Sequence, residues 1–323
     1  MTRDEQRALR EAIARTFDAF YDRFPQLLEI QRRAIDGILA GKDVLLAAPT
    51  AGGKTEAAMA PLLQRILERS GVRDLEGPAL IYVSPTRALV NDVWRRLQVP
   101  VTRLGLEIGR KTGDHASLGK RIPHVLITTP ESFDSMIARM PKRLLPLQSV
   151  VLDELHALDG TARGDQLAAL CSRLRKILAA RDRGVQIAML SATVDRPEDV
   201  AKRYSDDSLV IRDEEGRREM IARVALTPFG KDPSKKLAKL VEASRGGKVL
   251  VFANARADVE WAAERARGKP PFGNAVFAHH GSLSKPVRER VERDFQNART
   301  ALCFATSTLE LGIDIGDVDF AVL

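Results

Sequence analysis

The sequence predicts an α/β protein made of two parallel-sheet domains in tandem, each covered by helices. Three observations carry this. Short apolar runs of strand character alternate with helical stretches several turns long. The alternation restarts after a polar, charge-rich stretch, Ser205 to Arg218. The length, 323 residues, suits about two domains of ~150 residues each.

Taken in order, Leu9, Ile13, Phe17 and Phe20 fall at helical spacing, and a second helix runs from Glu29 until Gly41 stops it. Strands are expected at Asp43–Ala47, Ala79–Val83, Val125–Thr128, Ser149–Leu152 and Gln186–Leu190, separated mostly by helices. The second series comprises a strand at Lys248–Phe252, a helix from Arg256, a strand at Ala275–Ala278 and a helix from Ser284 to Phe295. Strands at Thr300–Phe304 and Val318–Leu323 complete it. These elements place the domains at 1–207 and 208–323. The last residues, Phe320-Ala321-Val322-Leu323, read as the middle of a buried strand, so the second domain is expected to be incomplete.

Composition narrows the class. The 44% hydrophobic and 29% charged fractions are those of a globular protein and exclude collagen-like, disulfide-rich and wholly disordered chains. Lys and Arg number 51 against 43 Asp and Glu, and the +8 balance favours a polyanionic partner only mildly. Cys171 and Cys303 lack metal or CxxC spacing and read as small buried hydrophobes. The N-terminus carries charges of both signs without an apolar core, and no apolar run approaches the ~18 residues of a membrane span. A cytoplasmic protein without membrane partners is expected.

The sharpest local signal is Ala48-Pro49-Thr50-Ala51-Gly52-Gly53-Lys54-Thr55, between a strand and a helix. It fits a Walker A loop with Ala48 in place of the first glycine. Gly52 and Gly53 let backbone N–H groups approach a β-phosphate at a helix N-terminus. Lys54 supplies a cation to the β- and γ-phosphates, and the Thr55 hydroxyl can ligate Mg²⁺. The alternative is a glycine turn that happens to precede a lysine; the strand–loop–helix context argues against it. A nucleotide with Mg²⁺ is therefore the expected ligand.

A second signal is Ser149-Val150-Val151-Leu152-Asp153-Glu154-Leu155-His156, an apolar strand ending in two carboxylates and a histidine. Ligands in such sheets sit at the carboxyl ends of strands, which brings Asp153 beside the phosphate loop. Asp153 would hold Mg²⁺, and Glu154 would position and deprotonate an attacking water. Alone, the pair could equally be acidic groups at a solvated strand end. His156 by itself reads either as a packing histidine or as a sensor of the γ-phosphate. The remaining histidines, His115, His124, His279 and His280, form no metal-ligand spacing.

Together these residues resemble a superfamily 2 DExH-box helicase. Asp153-Glu154-Leu155-His156 looks like the DExH box, and Ser191-Ala192-Thr193 like the motif coupling hydrolysis to strand movement. Gln31 is placed like the glutamine that reads adenine, with Phe17, Tyr21 or Phe24 to stack on the base. Ser84-Pro85-Thr86-Arg87-Ala88-Leu89, Thr112-Gly113-Asp114 and Thr129-Pro130-Glu131-Ser132 are similar to the backbone-gripping motifs of the first lobe. Val251-Phe252-Ala253-Asn254-Ala255-Arg256, His280-Gly281-Ser282 and Ala305-Thr306-Ser307-Thr308-Leu309-Glu310-Leu311-Gly312-Ile313-Asp314 match motifs of the second. The Thr-Pro-Glu-Ser and Thr-Leu-Glu-Leu-Gly-Ile-Asp strings point to the large helicase-related, Lhr-like branch. Ala51, where glycine is common, and Thr86-Arg87 depart from the usual pattern.

The resemblance implies two RecA-like domains with ATP between them. Asp314 would touch the ribose, and single-stranded DNA or RNA would run along the opposite edge. Pro85, Thr86, Arg87, Gly113, Thr129, Ser132, Asn254, Arg256, Gly281, Thr306 and Thr308 would grip it without reading sequence. It implies an ATP-dependent helicase or translocase moving 3′ to 5′. Ser and Thr after strands also serve as helix caps, so Thr129-Pro130-Glu131 alone could be no more than a helix start. The arginine-finger motif of such helicases is not within the sequence, so the expectation for this chain is binding with weak hydrolysis; the alternative is an ATP-gated clamp that does not unwind. A small-molecule P-loop kinase explains neither the second sheet nor Ser191-Ala192-Thr193.

Overall fold

The first series of alternating elements folds into a seven-stranded sheet in which every neighbouring pair is parallel. The structure, a computed structural model, describes residues 3–22, 24, 26–49, 52–113, 121–192, 194, 196–213, 247–306 and 318–322. The strands are β1 (Asp43–Ala47), β2 (Leu80–Val83), β3 (Ile108–Lys111), β4 (Val125–Thr128), β5 (Ser149–Leu152), β6 (Gln186–Ser191) and β7 (Ser208–Arg212), in the order β3-β4-β2-β5-β6-β1-β7.

Helices cover both faces, and the strands read accordingly. In β1, Val44 and Leu46 pack with one buried cluster and Leu45 and Ala47 with the other. β2 divides the same way, Leu80 and Tyr82 against Ile81 and Val83. A strand buried on both faces is continuously apolar, which is why these runs stand out in the sequence. The first face is covered by α2 (Phe17–Tyr21), α3 (Glu29–Leu39), α4 (Lys54–Arg69) and α5 (Arg87–Arg103), and the second by α6 (Pro130–Arg139), α7 (Ala162–Ala179) and α8 (Pro197–Tyr204). The apolar spacing from Leu9 to Phe20 is split between α1 (Arg3–Ala12) and α2, because residues 13–16 form a turn.

The second unit holds a four-stranded parallel sheet, β8 (Lys248–Phe252), β9 (Val276–His279), β10 (Ala301–Ala305) and β11 (Phe320–Val322), in the order β11-β8-β10-β9. Helices Arg256–Ala266 and Lys285–Asn297 pack against it.

Two expectations are corrected. The boundary after Asp207 severs β7, which pairs along its whole length with β1, so the first sheet continues to Arg212. The final strand is not buried as expected. It lies at a sheet edge, with Phe320 44% exposed. Cys171 and Cys303 are buried free thiols, and burial pushes each up to about 12. Among the described residues, no helix is long and apolar enough to cross a membrane.

Candidate functional site

The chemistry-bearing residues of the first unit collect at the carboxyl edge of its sheet. β1 runs into the loop before α4, whose N-cap, Gly53, has a left-handed backbone with φ +69°. A Cβ there would lie 2.6 Å from the Gln31 Nε2, and one on Gly52 would lie 2.8 Å from the Pro49 carbonyl oxygen. Only glycine permits this close path of backbone past backbone and side chain. Thr50 and Ala51 lie outside the described residues.

Lys54 is buried, and its ammonium donates to two carbonyls of its own loop, Ala48 O at 2.7 Å and Pro49 O at 2.8 Å. Burial lowers its pKa, opposed by the charges of Glu154, Asp153 and Asp213. The ammonium thus stands in the field of carboxylates, held by two loop carbonyls.

β5 delivers the acidic pair. Asp153 is buried, its N–H donates to Val83 O at 2.8 Å, and its Oδ1 accepts from the Glu154 N–H at 2.9 Å. Burial, then the neighbouring Glu154 charge, pushes the Asp153 carboxyl up to about 7. Glu154 has a left-handed backbone, φ 50°, which costs a non-glycine residue roughly 1–3 kcal/mol and is held only where the surroundings enforce it. Its Oε2 is buried without a hydrogen-bond partner among the described residues, 3.2 Å from the His156 Nδ1. That nitrogen accepts from the Ala192 N–H at 3.2 Å, so the ring proton sits on Nε2 in this arrangement. His156 thus stands beside Glu154 and is hydrogen-bonded to the Ser191-Ala192 end of β6. Thr193 lies outside the described residues.

A metal fits this corner by donor chemistry. Thr55 and Asp153 offer a hydroxyl and a carboxylate, the hard oxygens Mg²⁺ takes alongside phosphates and water. A carboxyl raised by burial and a like charge is one that a cation relieves. No group of three or more His, Cys, Asp and Glu side chains suited to a metal occurs among the described residues.

The Asp153 shift has a stability consequence. Its carboxyl binds a proton up to about pH 7 when folded, but only to about pH 3.9 when unfolded. The folded state therefore holds the extra proton in between, and stability falls as pH rises through that window. Asp153→Asn is expected to stabilise the ligand-free chain at pH 8, by a few kcal/mol at most, and to leave it unchanged near pH 4. Denaturant titrations at the two pH values check this; equal effects at both would contradict it.

Gln31 lies against the phosphate loop. It is 2% exposed, its Oε1 accepts from the Leu28 N–H at 2.9 Å, and its Nε2 donates to Gly53 O at 3.4 Å. Of the three aromatic candidates, Tyr21 is buried with its hydroxyl on Glu56 O at 2.9 Å, and Phe17 packs against the Tyr21 ring. Phe24 is 40% exposed and alone among them presents a substantially open face.

The residues expected to grip a strand are partly brought together. Thr86 caps α5, accepting from the Leu89 N–H at 3.2 Å, and Thr129 caps α6, accepting from the Ser132 N–H at 3.4 Å. Both therefore perform the capping role. Pro85 is buried, and exposed Arg87 reaches over Gly113, where a Cβ would meet its guanidinium at 2.6 Å. Arg163, not singled out in the sequence, ties these loops. Its guanidinium donates to Pro85 O at 2.8 Å and pairs with Glu131 at 2.6 Å. No sequence signal marks it, because the link exists only once α7 stands beside α6.

In the second unit, Asn254 and Arg256 are exposed, and the Arg256 guanidinium donates to Ser282 Oγ at 3.2 Å, beside Gly281. The Thr306 N–H donates to His279 O at 3.1 Å. His279 and His280 are buried against Glu292, at 2.9 Å, and Glu260, at 3.0 Å. Thr308 and Asp314 lie outside the described residues.

Comparison with known proteins places the chain in a family. The DEAD/DEAH box helicase family model matches residues 28–200, and the helicase conserved C-terminal domain model matches 232–323. The ATP-dependent helicase Lhr-Core protein 2 of Thermococcus barophilus is 32% identical over 94% of this chain and 39% of its own length. The Lhr helicase/probable uracil glycosylase of Mycolicibacterium smegmatis is 30% identical over 96% of this chain and 24% of its own. The chain thus spans well under half the length of these curated relatives. The solved structure of Mycobacterium smegmatis helicase Lhr bound to ssDNA and AMP-PNP matches with TM-score 0.76 at 30% identity, covering 95% of this chain and 43% of that one. The DEAD-box helicase Mss116, bound to ssRNA and UDP-BeF, shares the fold at TM-score 0.73 and 18% identity, over 96% of this chain and 65% of that one. A loop that seats a lysine among carboxylates, an acidic pair at the end of β5, and a family model covering residues 28–200 lead to one assignment: the chain belongs to the DEAD/DEAH box helicase family, with Lhr-type helicases among its relatives.

Proposed function

We propose that this chain is the motor part of an ATP-dependent nucleic-acid helicase or translocase. The observation that carries the reading is the placing of Lys54 in the field of Asp153 and Glu154, with His156 beside Glu154 and hydrogen-bonded to Ala192. Lys54 and the backbone of Gly52 and Gly53 would bind the phosphates of ATP, and Gln31 and Phe24 would hold the adenine end. Mg²⁺, held by Thr55 and Asp153, would neutralise charge on the phosphates. Glu154 takes the proton of the attacking water: its Oε2 has no hydrogen bond to break first. Ser191, Ala192 and Thr193 would pass the state of the nucleotide site to the strand-binding loops, with His156 as the contact.

Arg87, the loops of Thr86 and Thr129 with Ser132, and Gly113 would touch the strand in the first unit; Asn254, Arg256, Gly281, Thr306 and Thr308 would do so in the second. These are phosphate-directed groups, so binding should be insensitive to sequence and weaken with salt. The M. smegmatis structure, with its single-stranded DNA and ATP analogue, supports this reading. The direction, 3′ to 5′, follows the family resemblance. The test is binding of fluorescent oligo-dT and oligo-U with and without a non-hydrolysable ATP analogue. The analogue is expected to tighten binding to at least one of them, and affinity to fall linearly with salt on logarithmic axes. Strand affinity unmoved by the analogue would contradict the proposal.

A further inference from the structure

We propose that Tyr82 is a positioning residue for the metal side of the nucleotide site, setting the Asp153 carboxylate and the Thr55 hydroxyl through its phenol. The inference rests on the phosphate-loop reading above. Tyr82 sits on β2, on the sheet face covered by α4, and is 0% exposed. The chain has three tyrosines. Tyr21 donates its hydroxyl to Glu56 O at 2.9 Å, and Tyr204 reaches Gly164 O at 3.5 Å. The Tyr82 hydroxyl closes no hydrogen bond among the described residues, yet it is buried close enough to Asp153 and Thr55 to be coupled to both.

For packing alone, phenylalanine would serve this position better, since a buried hydroxyl without a partner destabilises a fold. A phenol can donate to a carboxylate and accept from a hydroxyl at once. Asp153 and Thr55 come from different elements, the end of β5 and the first turn of α4. The phenol, rooted in β2 beside β5, is coupled to both. Mg²⁺ tolerates little departure from octahedral geometry, and groups that orient its ligands typically change metal affinity 10–100-fold when lost. Arg96 of α5 approaches the same corner. It pairs with Glu56 at 3.6 Å and Asp92 at 3.7 Å, and it also interacts with Tyr82 and Asp153.

The test is Tyr82→Phe in this chain, read by fluorescent ADP binding during a magnesium chloride titration and again in excess chelator, with a thermal melt of the ligand-free protein. The expected result is a Mg²⁺ midpoint raised about tenfold, metal-free ADP affinity unchanged, and a melting temperature equal to or above the parent's. A Mg²⁺ dependence superposing on the parent's overturns the proposal. So does a metal-free affinity that falls in step with the Mg²⁺-dependent one, which is the mark of a structural role. A parent chain that binds no ADP under either condition overturns the phosphate-loop reading itself, and the inference with it.

Discussion

Glu154→Gln is expected to leave nucleotide affinity within about twofold of the parent and to lower ATP turnover by a factor of about 10²–10⁴, the usual contribution of a positioned general base. The amide keeps the shape of the carboxylate but cannot take a proton. The proposed role has a geometric reason. Its Oε2 is buried without a hydrogen bond, and the nearby His156 Nδ1 is already engaged as an acceptor from the Ala192 N–H. The left-handed backbone at Glu154 turns the chain sharply after Asp153, separating the roles of two consecutive carboxylates. Equilibrium binding and steady-state turnover on the same preparation check this. Turnover at the parental rate would remove Glu154 from the role of base.

Lys54→Ala is expected to weaken ATP binding by about 10–100-fold, the value of one or two charged hydrogen bonds, and to bring turnover below detection. In the ligand-free chain the ammonium is satisfied by Ala48 O and Pro49 O. Those carbonyls belong to a turn, not to the sheet, so the substitution should move the melting temperature little. Affinity is the quantity that separates the phosphate-loop assignment from a glycine turn beside a lysine. Unchanged ATP affinity would contradict the assignment.

What could be read from the sequence, and what could not, follows physical lines. β1, β4 and β5 emerge at their observed bounds because strands buried on both faces are uninterrupted apolar runs. β3 and β7 pass unnoticed because both are edge strands: Ile108–Lys111 contains one large apolar residue, and Ser208–Arg212 is half exposed. Missing β7 also moved the domain boundary. The phosphate loop and the acidic pair are legible because their function is written in consecutive residues. Tyr82, Arg96 and Arg163 are not, since each matters through a neighbour that only the strand order supplies, such as β2 lying beside β5. Thr86 and Thr129 were legible both as grip residues and as caps, and the structure shows the capping bonds formed.

The central claim is that ATP hydrolysis at this site is coupled to a nucleic-acid strand. The most direct measurement is ATP turnover by the chain alone, with single-stranded DNA and with single-stranded RNA, beside Glu154→Gln as the blank. The account predicts turnover above the blank that rises when at least one of the strands is added. A chain that binds ATP, yet whose turnover is the same with and without either strand, would contradict it.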